Sequence, residues 1–184
     1  MKKKNKKVNA AILIIGNEIL SGRTQDRNIS FISKWLNSKC GISVEEVRII
    51  PDVEKKIIDN IITLSKKFKY VFTTGGIGPT HDDITAQSIS KAFKKKYEFH
   101  KEAYSILEKY YGLNKFNSGR KKMARMPRGA KLIYNPASAA PGFKTKNVIS
   151  LPGVPSILNS MIENCKKYLV KGSKVHSKTI NIVT

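Results

Sequence analysis

The chain has 184 residues, of which 40% are hydrophobic and 26% charged, as is ordinary for a globular protein with one core. Two isolated cysteines exclude a disulfide scaffold and a cysteine-rich zinc site, and they favour a reducing compartment. The formal net charge of +22 raises nucleic acid, anionic membranes and phosphorylated ligands as partners. Compositional bias with solvated helix faces remains the alternative explanation of that charge.

The predicted elements alternate between strands and helices from the beginning of the chain. Apolar runs predict strands at residues 8–15, 44–50, 70–74, 131–134 and 148–151. Helical spacing of apolar residues predicts helices over residues 28–39, 53–67, 84–96, 100–111, 120–125 and 156–169. Gly41 stops the first helix, Pro127 marks a turn, and residues 135–143 form a loop.

This order predicts an α/β fold with a doubly wound, mostly parallel sheet. We expect a basic tail over residues 1–7, one domain over residues 8–170, and the start of an edge or truncated strand within residues 171–184. The first apolar run is too short to span a membrane, and no small-residue cleavage site follows it. We therefore expect a cytoplasmic protein that makes no membrane contact.

A glycine-rich turn follows the third predicted strand, in the sequence TTGGIGPTHDDIT at residues 73–85. Gly75, Gly76 and Gly78 permit positive φ angles and a close approach of the backbone to a ligand. Amides beside a helix start suit an anionic group such as phosphate. The turn matches neither the dinucleotide fingerprint GxGxxG nor the P-loop, which requires GK[ST].

Carboxylates are concentrated where the predicted strands end. Either Asp82 or Asp83 can cap the helix that starts near Ile84, and the second carboxylate exceeds what a cap needs. Beside a phosphate, the second carboxylate predicts a divalent metal that assists attack of water. Glu18 follows the first strand and either joins this site or is a surface charge. Ligands of such sheets bind outside the carboxyl ends of the strands, where these loops lie.

The glycine-rich stretch resembles the TTGG-x-G-P-x-x-x-D-x-T signature of the MoaB/Mog (molybdopterin-binding, MoCF biosynthesis) domain. The chain is most similar to the N-terminal domains of the CinA (competence-damage-inducible protein A) group and of eukaryotic FAD synthases. That closer similarity is carried by GNEILSGRTQDRN, NPASAAPGF and LPGVPSIL, and it covers roughly residues 8–170. The resemblance implies a three-layer α/β/α sandwich with a mostly parallel sheet.

The resemblance also implies a pocket for a pterin or nucleotide phosphate, with a set of residues for each role. The expected catalytic and metal-binding residues are Asp83, Asp82 and Glu18. The expected phosphate-binding residues are Thr74, Gly75, Gly76, Gly78 and Thr80, and the other expected pocket residues are Asn17, Asn28, Gly153 and Pro155. Position 17 is Asn where related sequences often have Asp, which would weaken a metal site or change its metal.

Three functions follow as hypotheses. The first is hydrolysis of a nucleotide pyrophosphate, such as ADP-ribose or FAD, with Mg²⁺, Mn²⁺ or Co²⁺ as cofactor. The second is binding of molybdopterin, or adenylyl transfer to it, in molybdenum cofactor biosynthesis. The third, non-specific binding of nucleic acid, depends only on the net charge of +22 and the lysine-rich tail, and no motif supports specific binding. Superfamily members are commonly dimers or trimers, so we expect a homo-oligomer.

Overall fold

The structure is a computed structural model that describes residues 8–173, built around strands with helices on both sides. The strands are β1 (Asn9–Ile15), β2 (Ser43–Ile50), β3 (Tyr70–Thr74), β4 (Tyr97–Phe99), β5 (Arg125–Pro127), β6 (Lys131–Ile133), β7 (Gly142–Thr145) and β8 (Val148–Leu151). The α-helices are α1 (Asn17–Leu20), α2 (Asn28–Trp35), α3 (Glu54–Lys67), α4 (Thr85–Ala92), α5 (Lys101–Tyr111), α6 (Ser118–Lys122) and α7 (Pro155–Met161).

The main sheet has six strands in the order β2-β1-β3-β8-β7-β6. The pairs β1–β2, β1–β3 and β3–β8 are parallel, whereas β8–β7 and β7–β6 are antiparallel. In the sheet, β2 lies on one side of β1, and β3, the next strand in the sequence, lies on the other side of β1. The strand order therefore reverses between β1 and β3, which is where ligands bind in open α/β sheets.

Strand β1 separates two hydrophobic cores, because its side chains alternate between the faces of the sheet. Leu13 and its odd-numbered neighbours pack with α3, α4 and α5, and Ile12 and its even-numbered neighbours pack with α2 and α7. Both residues are fully buried. This arrangement confirms the expected three-layer α/β/α sandwich with a mostly parallel sheet.

Most of the predicted elements are present, and the differences lie at their ends. The first predicted helix ends as an α-helix at Trp35 and continues as a π-helical turn, Leu36–Cys40, before Gly41 stops it at a φ of 66°. The last predicted helix is α-helical only to Met161 and continues as a 3₁₀ helix over Ile162–Tyr168. Helix α6 begins and ends earlier than expected, since Asn117 caps it by accepting a bond from the Arg120 amide at 3.0 Å.

A two-stranded antiparallel sheet, β4–β5, was not predicted. Helix α4 ends at Ala92 because Lys94 adopts a φ of 52°, which turns the chain out of the helix. Pro127 was expected in a turn but lies in β5, paired with Tyr97. The Arg125 guanidinium lies 5.3 Å from the ring centroid of Tyr97, and this cation–π contact between β5 and β4 stabilises the pairing of the two short strands.

The loop expected over residues 135–143 is shorter, since β7 begins at Gly142. The expected basic tail, residues 1–7, and the strand expected at the end of the chain, from residue 177, lie outside the described residues. Among residues 8–173, no helix combines the length and the apolar character that crossing a membrane requires.

Candidate functional site

A cavity of about 720 Å³ opens at the carboxyl ends of β1, β3 and β8, where the strand order reverses. One side of its wall is formed by the loops that follow these strands and β2, and by the start of α7. Of the expected site residues, it includes Glu18, Gly75, Gly76, Gly78, Asp82, Asp83, Gly153 and Pro155. The loops that follow β1, β3 and β8 therefore meet at one cavity, as the parallel pairing of these strands requires.

The glycine-rich turn, called the glycine turn from here on, has no room for a side chain at two of its positions. Gly75 has a φ of 96°, and a Cβ atom there would lie 2.1 Å from the carbonyl oxygen of Ile15. Gly76 has a φ of 66°, and its Cβ would lie 2.2 Å from Thr85 Oγ1. The backbone of the turn is thus pressed against the end of β1 and against the first residue of α4.

The amides of this turn differ in what they can bind. The Gly75 N–H donates to the carbonyl of Leu151, at the end of β8, at 3.2 Å, so this amide is already hydrogen-bonded to the sheet. Within residues 8–173, the amides of Gly76 and Gly78 have no such partner. These two amides, next to the N-terminus of α4, are therefore the donors that an anion in the cavity can reach.

Neither aspartate of the turn caps α4, contrary to the expectation for one of them. The cap position is held by Ile84, without a side-chain hydrogen bond. Asp83 instead accepts bonds within the turn, from the Thr80 amide at 2.8 Å and from the Thr80 hydroxyl. Lys122 of α6 donates to the carbonyl of Thr80 and ties the turn to the opposite wall. Asp83 and Thr80 thus support the shape of the glycine turn from within.

Asp52 adds a fourth carboxylate to the cavity wall, and the sequence analysis did not select it. Its Oδ2 accepts a bond of 2.9 Å from the backbone amide of Asn17, at the start of α1. Burial raises the pKa of Asp52 above its ordinary value, the Asn17 bond opposes this, and the charges of Glu18, Asp82 and Asp83 raise it further. The carboxylates therefore interact electrostatically at one end of the cavity.

The carboxylate oxygens at this end of the cavity suit a cation chemically, but they do not form a complete set of metal ligands by themselves. Within the described part of the chain, no three His, Cys, Asp or Glu residues are close enough together to hold a metal ion by themselves. Magnesium is commonly held by one or two carboxylates together with the phosphate oxygens of a ligand. The residues present fit a metal of that kind, with Asp52 and Glu18 beside the turn.

The opposite wall comes from the segment 97–140, where the sequence analysis selected no site residue. Among the described residues that line the cavity, Arg120 has the one cationic side chain, and its guanidinium lies 4.2 Å from the ring centroid of Tyr111. Asn135 shapes the neighbouring loop by accepting the amides of Ala137 and Ser138 at 2.9 and 3.1 Å. The motif NPASAAPGF pointed to this loop, whereas only the fold brings Arg120 to the cavity.

A second, smaller cleft of about 50 Å³, here called the side cleft, adjoins the cavity between α2 and β3. Its wall includes Asn28 and Thr74, whereas Glu18, Thr24, Gly153 and Pro155 line both spaces. Asn28 is the first residue of α2, and its Nδ2 donates to the carbonyl of Gly153 at 2.7 Å. Of the remaining expected residues, Thr80 supports the turn and Asn17 is exposed at the start of α1.

The fold and the cavity define a three-layer α/β domain whose binding site lies at the switch point of its sheet. Residues 11–171 match the family described as "Probable molybdopterin binding domain". The chain belongs to this family.

Similar proteins place the chain more closely within it. A CinA-like protein of Thermosipho melanesiensis is 36% identical over 178 residues, covering 92% of this chain and 43% of its own length. A protein of Archaeoglobus fulgidus is 34% identical over 171 residues, covering 93% of this chain and 72% of that protein. The chain thus spans less than half of the CinA-like relative.

Solved structures agree with this placement. The structure of CinA from Thermoplasma acidophilum superposes with a TM-score of 0.81 at 31% identity, covering 88% of this chain and 98% of that one. The MoaB structure from Thermus thermophilus superposes with a TM-score of 0.56 at 16% identity, covering 88% and 91%. The second similarity shows the fold alone. The chain is a MoaB/Mog-type domain close to CinA.

Proposed function

We propose that the chain is a metal-dependent hydrolase of a nucleotide pyrophosphate such as ADP-ribose or FAD. The observation that carries the proposal is the meeting of the glycine turn and four carboxylates in one cavity. A phosphate-binding turn alone suits many ligands. Carboxylates beside a phosphate are repulsive unless a cation lies between them, so their combination favours a metal and a phosphate bound together.

The phosphate is bound at the glycine turn. The amides of Gly76 and Gly78, which have no partner in the described part of the chain, donate to its oxygens, and the N-terminus of α4 adds the positive end of a helix dipole. Arg120 supplies a positive charge from the opposite wall. The chain's net charge of +22 further favours approach of an anionic ligand.

The carboxylate end of the cavity binds the cation and the attacking water. Glu18, Asp52, Asp82 and Asp83 are the residues that would hold a divalent metal, which would neutralise charge at the phosphate and lower the pKa of water. Carboxylates of this group that are not bound to the metal accept a hydrogen bond from the water and orient it towards phosphorus. Attack of the water oxygen on phosphorus breaks the bond to the bridging oxygen, which leaves with the second phosphate, while one of these carboxylates accepts the proton of the water.

Hydrolysis of a substrate panel tests this proposal. The panel contains ADP-ribose, FAD, NAD and ATP, each with Mg²⁺, Mn²⁺ or Co²⁺, and a coupled phosphatase releases phosphate from the products. We expect cleavage of ADP-ribose or FAD, with loss of turnover in Asp83→Asn and in Asp52→Asn. Retained turnover in both variants would overturn the assignment of the carboxylates.

A matched variant separates chemistry from support of the turn. Thr80→Val removes the hydroxyl bond to Asp83 and leaves both carboxylates in place. We expect it to lose much less activity than Asp83→Asn. Equal losses in the two variants would mean that Asp83 acts only by holding the glycine turn.

The description of the family favours a second candidate, binding of molybdopterin or adenylyl transfer to it. In that case ATP and a pterin occupy the cavity together, and the pyrophosphate panel gives no products. Titration with a pterin at micromolar concentration distinguishes the two candidates, and absence of pterin binding counts against the second.

The expected dimer or trimer stays a prediction, as does salt-sensitive, sequence-blind binding of nucleic acid.

A further inference from the structure

The side cleft is lined by two residues that each carry a buried polar atom without a hydrogen-bond partner in the described part of the chain. Within residues 8–173, the buried side-chain atoms without a hydrogen bond are Asn28 Oδ1 and the hydroxyls of Thr74, Thr85 and Thr145. Asn28 is 3% exposed and Thr74 is 1% exposed, and both line the side cleft. A buried polar atom without a partner costs free energy, so a pair of them beside one cleft points to a ligand group that satisfies both.

The orientation of the Asn28 amide is fixed by its other bond. Its Nδ2 donates to the carbonyl of Gly153, and exchanging the amide atoms would place two oxygens against each other. The atom without a partner is therefore an acceptor. The side cleft thus offers an acceptor from α2 and a hydroxyl, which can donate or accept, from the end of β3.

The size and the charge of the side cleft limit what can enter. About 50 Å³ accommodates one small polar group and excludes a ring. Glu18, Asp26 and Arg27 line the cleft, and these two acidic residues against one basic residue give it a net negative charge that disfavours an anion there. Because Glu18, Thr24 and Gly153 line both spaces, a ligand in the cavity can extend one group into the side cleft.

We propose that the side cleft is a subsite for a neutral hydrogen-bond donor of the ligand, a hydroxyl or an N–H group, while its phosphate lies at the glycine turn. This inference rests on the proposed function and deepens it. Thr74, expected from the sequence to bind phosphate, then selects the organic part of the ligand. The Oδ1 atom of Asn28 accepts a hydrogen bond from this donor group, and the Thr74 hydroxyl makes a second hydrogen bond to the same group.

The test compares two substitutions that each remove a buried hydroxyl without a partner. Thr74→Val removes it at the side cleft, and Thr145→Val removes it in β7, away from both spaces. The probe is an ADP-ribose analogue with a methylene bridge in place of the pyrophosphate oxygen, titrated calorimetrically with Mg²⁺ present. We expect about fivefold to tenfold weaker binding in Thr74→Val, the effect of one lost hydrogen bond, and wild-type binding in Thr145→Val.

Thermal unfolding provides the accompanying readout, because neither substitution breaks a hydrogen bond of the free protein. Both variants should keep or exceed the wild-type melting temperature, so weaker binding by Thr74→Val cannot be ascribed to unfolding. Unchanged affinity in that variant would overturn the subsite and mean that the side cleft holds water only, with the proposed hydrolase function intact.

Failure of the wild type to bind either this analogue or the corresponding methylene-bridged analogue of FAD would overturn the proposed function instead. The same variants are then titrated with a pterin phosphate. Weaker binding in Thr74→Val alone would support the subsite with a different ligand. Equal binding by the variants, or no binding by the wild type, would overturn the subsite as well.

Discussion

Replacement of Gly75 by alanine should be among the most destabilising small changes in this protein. The position combines a φ of 96° with a contact of 2.1 Å between a new Cβ and the carbonyl oxygen of Ile15. That carbonyl cannot give way easily, because β1 is paired with β2 on one side and with β3 on the other. The substitution must therefore move either the glycine turn or the centre of the sheet.

Gly22 provides the matched control. Its φ of 72° is also positive, but a Cβ there meets no atom within 4 Å. Gly22→Ala should cost about 1–2 kcal/mol of the free energy of unfolding, for the backbone conformation alone. Gly75→Ala carries the same cost and a further overpacking cost of about 1–3 kcal/mol, for a total of about 2–5 kcal/mol.

Urea denaturation followed by circular dichroism measures both variants against the wild type. We expect the Gly75→Ala midpoint to fall clearly below that of Gly22→Ala, with an unchanged slope of the transition. Equal midpoints in the two variants would refute the reasoning, since they would show that the end of β1 adapts to a Cβ without cost.

Two further predictions concern titrating groups. Because the pKa of Asp52 is raised on folding, the folded protein holds the Asp52 proton more tightly than the unfolded chain does, and Asp52→Asn should raise the melting temperature near pH 7. That gain should vanish at about pH 3, where Asp52 is protonated in both states, and a constant difference across pH would contradict it. Burial raises the pKa of Cys165 to about 12, so iodoacetamide should label this thiol only after denaturation, as mass spectrometry can determine. Labelling of Cys165 in the native protein at neutral pH would show that the helix carrying it opens.

The sequence predicted the central part of the fold well because the parallel strands β1, β3 and β8 are buried on both faces. Tyr70–Thr74 is a short apolar run bounded by a lysine and a glycine, and it forms β3 within those bounds. The strands β4 and β5 have three residues each, and their pairing joins Tyr97 to Pro127, which are far apart in the sequence. No local pattern of such short segments distinguishes them from loop.

The candidate site, like the fold, could be predicted from the sequence only in part. Loops at the strand ends were recognisable from their composition, which pointed to Gly76 and Asp83. Asp52 was missed because a single Pro-Asp pair carries no motif, and its importance appears only when parallel pairing brings β2 beside β1. Arg120 was missed because its position on the wall depends on the packing of α6, which a basic run does not indicate.

The most direct test of the central claim is a titration of the isotope-labelled protein with the methylene-bridged ADP-ribose analogue and Mg²⁺, followed by amide NMR. We expect the largest shifts at Gly76 and Gly78, whose amides have no hydrogen-bond partner within residues 8–173, and smaller shifts at Gly75, whose amide donates to the carbonyl of Leu151. Saturable shifts confined to residues away from the cavity, or no shifts at the glycine turn, would contradict phosphate binding at this site.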